Sequence, residues 1–155
     1  MAAGDTLLIG DGTYTEPIQP LVFGQPGKPI TIRAVNDGRV TIDCAGTCIP
    51  LKLGDNWPGD NRSWFVVEGI VAKNGTEATV RIRGDHIILR RVSAYDAALR
   101  MNSSVIAVVW SSNVLLEDVI AAGTGRKSVL VFTSDHVTVR RAFTQWQAWD
   151  GMTAD

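Results

Sequence analysis

The feature that most constrains this chain is an internal repeat. Four segments align without gaps: Trp64–Val71, His86–Ser93, Asn113–Ile120 and His136–Phe143, at spacings of about 22 to 27 residues. Arg39–Asp43 reads as an earlier, weaker copy. Between the copies lie further β-branched runs, Ala78–Ile82, Val105–Val109 and Ser128–Phe132. No 3.6-residue apolar period runs over ten or more residues, which excludes a helical solenoid. A propeller blade needs roughly 40 residues per unit. The leucine-rich frame is absent. Three short strands per unit predict a single right-handed parallel β-helix spanning 1–155, of about six coils. At roughly 4.8 Å per coil the rod is about 30 Å long.

Stacking the repeat in register predicts two charged columns: Glu68, Arg90, Glu117 and Arg140, and beside it Gly69, Arg91, Asp118 and Arg141. Signs alternate from coil to coil, and each opposite pair contributes a few tenths to about 1 kcal/mol. The arginine pairs therefore read as an inter-coil ladder that helps fix the register, not as an anion-binding patch. His86, Asn113 and His136 form a turn column. Two coils, roughly 10 Å, separate the histidines, too far for one metal.

Composition narrows the function classes. The 155 residues are 45% hydrophobic and 20% charged, with net charge −1, which disfavours a nucleic-acid binder. There is no apolar run long enough for a membrane span, and the start shows no signal peptide. Gly123–Lys127 leads into a strand, so it reads as a turn and not a phosphate loop. The polar stretch 54–63 is expected to project from the rod; Asp55, Asp60 and Asn61 do not match a calcium-loop spacing.

Residues 4–43 carry a further pattern. Gly4-Asp5-Thr6-Leu7-Leu8-Ile9 is followed by Asp11-Gly12-Thr13-Tyr14-Thr15-Glu16-Pro17-Ile18, and then by Gly24-Gln25-Pro26-Gly27-Lys28-Pro29-Ile30-Thr31-Ile32-Arg33-Ala34. This resembles the first coils of the pectate-lyase-like β-helix superfamily, in the branch with chondroitinase and alginate lyases, and bacterial parallel β-helix repeat proteins. The resemblance implies an exported protein, extracellular or periplasmic. It carries over no catalytic residue, because the family's catalytic Lys, Arg and calcium-binding acids lie on later coils. Asp96 and Asp150 stand apart from other acids, and no Asp-Asp pair is present. Neither end shows a capping segment, from which a fragment of a longer β-helix, or end-to-end assembly, is expected.

The remaining chemistry points to binding. Outward positions run through Val71, Ser93, Ile120 and Phe143, then Lys73, Tyr95, Ala122 and Gln145. With Asp96, Arg100, Arg126, Trp146 and Trp149 on the loops beyond, Lys73 and Tyr95 form a candidate carbohydrate surface, since aromatic faces suit sugar C–H faces and charged groups suit hydroxyls. Packing under loops is the competing reading for these aromatics. Cys44 and Cys48, with Gly46 between them, are candidates for a small disulfide loop in an oxidising compartment. No cofactor or metal is expected. The function read from the sequence is a non-catalytic or incomplete module that binds or presents to polysaccharide. The alternatives are a structural or adhesion module self-associating through its coil ends, and a polysaccharide lyase acting on uronate polymers through Lys73, Tyr95 or Arg100.

Overall fold

The structure is a computed structural model that describes residues 1–54, 63–99 and 102–146. Three parallel sheets wind about one core. The first is β1 (Thr6–Ile9), β3 (Ile30–Ala34), β6 (Phe65–Glu68), β9 (Asp85–Arg90), β12 (Ser112–Glu117) and β15 (Asp135–Arg140), in that order. The second is β2 (Gly12–Tyr14), β4 (Val40–Asp43), β7 (Ile70–Gly75), β10 (Ser93–Ala97), β13 (Ile120–Gly123) and β16 (Phe143–Trp146). The third is β5 (Leu51–Leu53), β8 (Ala78–Ile82), β11 (Ser104–Val109) and β14 (Lys127–Phe132), with Ile18 bridged to Leu51 in the first turn. The chain is thus an all-β parallel β-helix of five turns and two strands of a sixth, with no helix among the described residues.

Alternation sets which side chains enter the core. Along β6 and β9, Phe65, Val67, Ile87 and Leu89 point inward and are buried, while Val66, Glu68, Ile88 and Arg90 point outward. The second sheet contributes Ile70, Ala72, Ala94 and Ala121, and the third Val80, Ile82, Ile106 and Val108. Each large aliphatic side chain buried this way stabilises the fold by roughly 1.5–3 kcal/mol before entropy is counted. The core is one column down the axis, and every outward residue faces its equivalent on the next turn.

Turning a corner in one or two residues requires the left-handed region of backbone space. Between the first and second sheets Arg91, Asp118 and Arg141 adopt φ of 50°, 53° and 51°. Between the second and third, Asn74 and Asp96 adopt 55° and 57°. Before the first sheet, Trp64, His86, Asn113 and His136 adopt 65°, 54°, 53° and 49°, as a turn column requires. Such residues are strained in isolation and persist because the stack over-determines them.

One expectation is corrected. Arg39–Asp43 is not an earlier copy of the first-sheet strand: β4 pairs with β7 in the second sheet, and the true copy is β3, which pairs with β6. In the second turn, Val35–Arg39 separate the two strands, whereas Gly69 alone does so in the third. An ungapped alignment cannot absorb that insertion.

Candidate functional site

The first corner carries the charged column in the register read from sequence, Glu68, Arg90, Glu117 and Arg140 being successive partners, and the structure adds Arg33 beside Glu68. Arg90 Nε lies 2.7 Å from Glu117 Oε2 and its Nη1 3.6 Å from Glu68. Arg140 and Arg141 also bond Glu117, and Arg141 Nε lies 2.6 Å from Asp118. Hydrogen bonds from Arg90, then Arg141 and Arg140, outweigh the cost of burial and hold the Glu117 carboxyl at about 2. Gly69 has a specific task here. A Cβ at this position would collide with the Asp37 carboxylate, which crosses above it from the second turn to meet Arg91 of the fourth at 2.5 Å. Arg90, Arg91, Arg140 and Arg141 are each paired across turns, and the corner is a ladder.

The second corner holds the residues singled out for carbohydrate. Lys73 and Tyr95 are register partners, with the ammonium 5.7 Å from the ring centroid, and Ala122 and Gln145 continue that column. Next to it runs a groove of about 400 Å³ along the corner, lined by Asn74, Asp96, Thr124 and the small residues Gly46, Gly75, Ala97 and Ala98. Its polar groups are oriented by bonds within the corner. Asp96 Oδ1 accepts from the Thr124 backbone N–H at 2.9 Å, and Asn74 Nδ2 donates to Asp43 at 2.8 Å. That donation, with one from the Ala45 N–H, lowers the Asp43 pKa against the opposing effect of burial. Trp146, half-exposed, donates from Nε1 to Gly125 O at 2.7 Å beside Thr124, and Arg126 donates to Asn102 at 2.9 Å. Of the residues proposed for carbohydrate, Asp96 lines this groove; Lys73 and Tyr95 directly precede its lining residues Asn74 and Asp96, Trp146 ends β16, and Arg126 lies in the turn before β14. Arg100, Trp149 and Asp150, and the loop acids Asp55 and Asp60 with Asn61, lie outside the described residues. Cys44 and Cys48 are joined in a disulfide with Cα atoms 5.3 Å apart, and Ala45 and Gly46 of the loop they close form one lip of the groove.

Two surfaces escaped the sequence reading. The outer face of the first sheet carries a groove of about 470 Å³ whose floor is Val66, Ile88, Leu115 and Thr138 from successive turns. Trp64 and His86 stack along one wall with ring centroids 3.9 Å apart, and His86, Asn113 and His136 continue it. Asn113 Nδ2 donates to Asp85 at 2.8 Å, and His136 Nδ1 lies 2.9 Å from Asp135. Burial works against the Asp85 charge, but hydrogen bonds from Asn113 and His86 lower its pKa on balance. At another corner, Arg83 lies 4.1 Å over the Trp110 ring, and Phe132 meets that ring edge-on at 5.8 Å. Among the described residues no cluster of three His, Cys, Asp or Glu side chains could hold a metal. Among the described residues no helix is long and apolar enough to cross a membrane.

No family model matches the chain, and no curated protein matches it. Among solved structures it is similar to pectate lyase Pel9A, with a TM-score of 0.63 at 15% identity. The likeness covers 92% of this chain but only 39% of the lyase, so the chain spans well under half the length of that protein. At this identity the likeness concerns the fold: the chain is a pectate-lyase-like parallel β-helix.

Proposed function

We propose that this chain is a polysaccharide-binding module of an exported bacterial β-helix protein, with its ligand lying along the second corner. The observation that carries this is the groove lined by Asn74, Asp96 and Thr124, bordered by the Lys73–Tyr95 pair and by Trp146. A ring beside a hydroxyl, an amide and a carboxylate offers a sugar both an apolar face and hydrogen-bond partners. Lys73 and Arg126 favour an acidic polymer, in keeping with the resemblance of residues 4–43 to chondroitinase and alginate lyases. The fold likeness to a pectate lyase supports the same class of ligand. The Cys44–Cys48 bridge supports export into an oxidising compartment.

Affinity electrophoresis through alginate, chondroitin sulfate, polygalacturonate and a neutral glucan tests this reading. Retardation by an acidic polymer, weakened about tenfold by Tyr95→Ala, is expected. Equal mobility in every gel rejects it. Release of unsaturated uronates, seen as ultraviolet absorbance, would instead support the lyase reading. Self-association through the coil ends is a second reading, favoured by the inward-facing Val131 and Val139 of the last turns, which are 46% and 44% exposed. Light scattering across a concentration series separates it, because a monomer at every concentration leaves it without support.

A further inference from the structure

The groove on the first sheet differs in chemistry from the second corner. Val66, Ile88 and Leu115 give the floor no hydrogen-bond donor or acceptor until Thr138 at its far end, which disfavours a sugar along it. Its volume of about 470 Å³ and its largely apolar lining match a small-ligand site. The floor is also narrow and straight. One outward side chain per turn, at roughly 4.8 Å per turn, makes a track of about 14 Å from Val66 to Thr138.

The two ends of the track are unlike. The end at the second and third turns is walled by Pro29, Gly27 and Trp64. At the sixth turn stand Thr138 and Arg140. The Arg140 side chain is 52% exposed, and its Nη2 pairs with Glu117. A guanidinium has five donors in a rigid fork, so one bond to Glu117 leaves it able to hold a second carboxylate. His136 stands across the groove at the same turn, with Nδ1 turned to Asp135.

We infer that this groove binds a single-chain anionic amphiphile, with its alkyl chain along Val66, Ile88 and Leu115 and its carboxylate at Arg140. The probe is decanoate, held below its micelle-forming concentration, with decanol as the uncharged control, followed by titration calorimetry on the full chain. Saturable one-to-one binding of decanoate is expected. Ile88→Asp, an outward position, should weaken it at least about tenfold, as should the milder Leu115→Thr if the first variant melts early. Arg140→Gln should weaken decanoate about tenfold while leaving decanol within about twofold. Tyr95→Ala should change neither, which keeps this site separable from the polysaccharide groove. Absence of saturable decanoate binding overturns the inference, as does binding indifferent to both floor variants. Equal loss of decanoate and decanol in Arg140→Gln overturns the placement of the head group.

Discussion

The first and second corners solve one geometric problem with different chemistry. Both turn the chain through left-handed residues stacked turn upon turn. The first corner uses long side chains of opposite sign, whose ion pairs cover the outside of the bend. The second uses short ones, Asn74, Asp96 and Thr124, whose bonds stay within the bend. A corner covered by arginines directs most of its charge at its own carboxylates. A corner built from glycine, alanine and short polar residues leaves a recess along the axis, and the groove beside Tyr95 is that recess. The first corner has a recess as well, of about 360 Å³, but Arg33, Asp37, Glu68 and Arg91 line it, so side-chain length decides which chemistry a corner presents and not whether it is grooved.

The largest effect should come from the seam. Glu117→Gln leaves Arg90, Arg140 and Arg141 converging on a neutral group, and thermal melts should show the greatest loss of stability among these variants. The same carboxylate has a pH signature. Its pKa falls from the ordinary 4.5 to about 2 on folding, so its contribution is full above about 4.5 and fades as pH drops towards 2. Melts recorded across that window should fall more steeply for the parent chain than for Glu117→Gln. Equal slopes would mean that the ladder does not carry this linkage.

The second corner should be sensitive to volume rather than charge. Gly123 has φ of 95°, and a Cβ there would collide with the Asp96 carboxylate. Gly123→Ala should cost about 3 kcal/mol in urea unfolding, combining backbone strain with that clash. Adding Asp96→Ala should recover part of the loss, and simple additivity would remove the clash from the explanation. Reduction of the Cys44–Cys48 bridge comes next. Its loop is short, so chain entropy predicts about 2 kcal/mol, read as the difference between melts with and without reductant. Asp96→Ala alone should cost about 1 kcal/mol through its bonds to Thr124.

Much of this architecture was legible in the sequence because a solenoid writes its register as repetition. The column from Glu68 to Arg140 and the column from Lys73 to Gln145 both follow from aligning copies. Sequence alignment sets Arg39–Asp43 on the wrong sheet because alternating β-branched residues identify a strand without saying which side of the coil it forms. The first-sheet groove was hidden for a related reason. Ile87, Ile88 and Leu89 read as one apolar run, and only the fold shows that Ile88 faces outward while its neighbours fill the core. The Trp64–His86 stack had a signal in the alignment, where the two residues share a position. Trp110 and Phe132 had none, since each stands at a bend whose partners become neighbours only after winding.

The column from Arg33 to Arg140 repeats in sign only every second turn, while the backbone repeats every turn. The molecule is thus a lattice with a doubled period. If a strand pairs one turn out of place, like charges meet along the seam; a displacement of two turns restores every attraction. Misfolding and strand exchange between copies of this chain are accordingly selected by parity, with odd displacements penalised and even ones electrostatically silent.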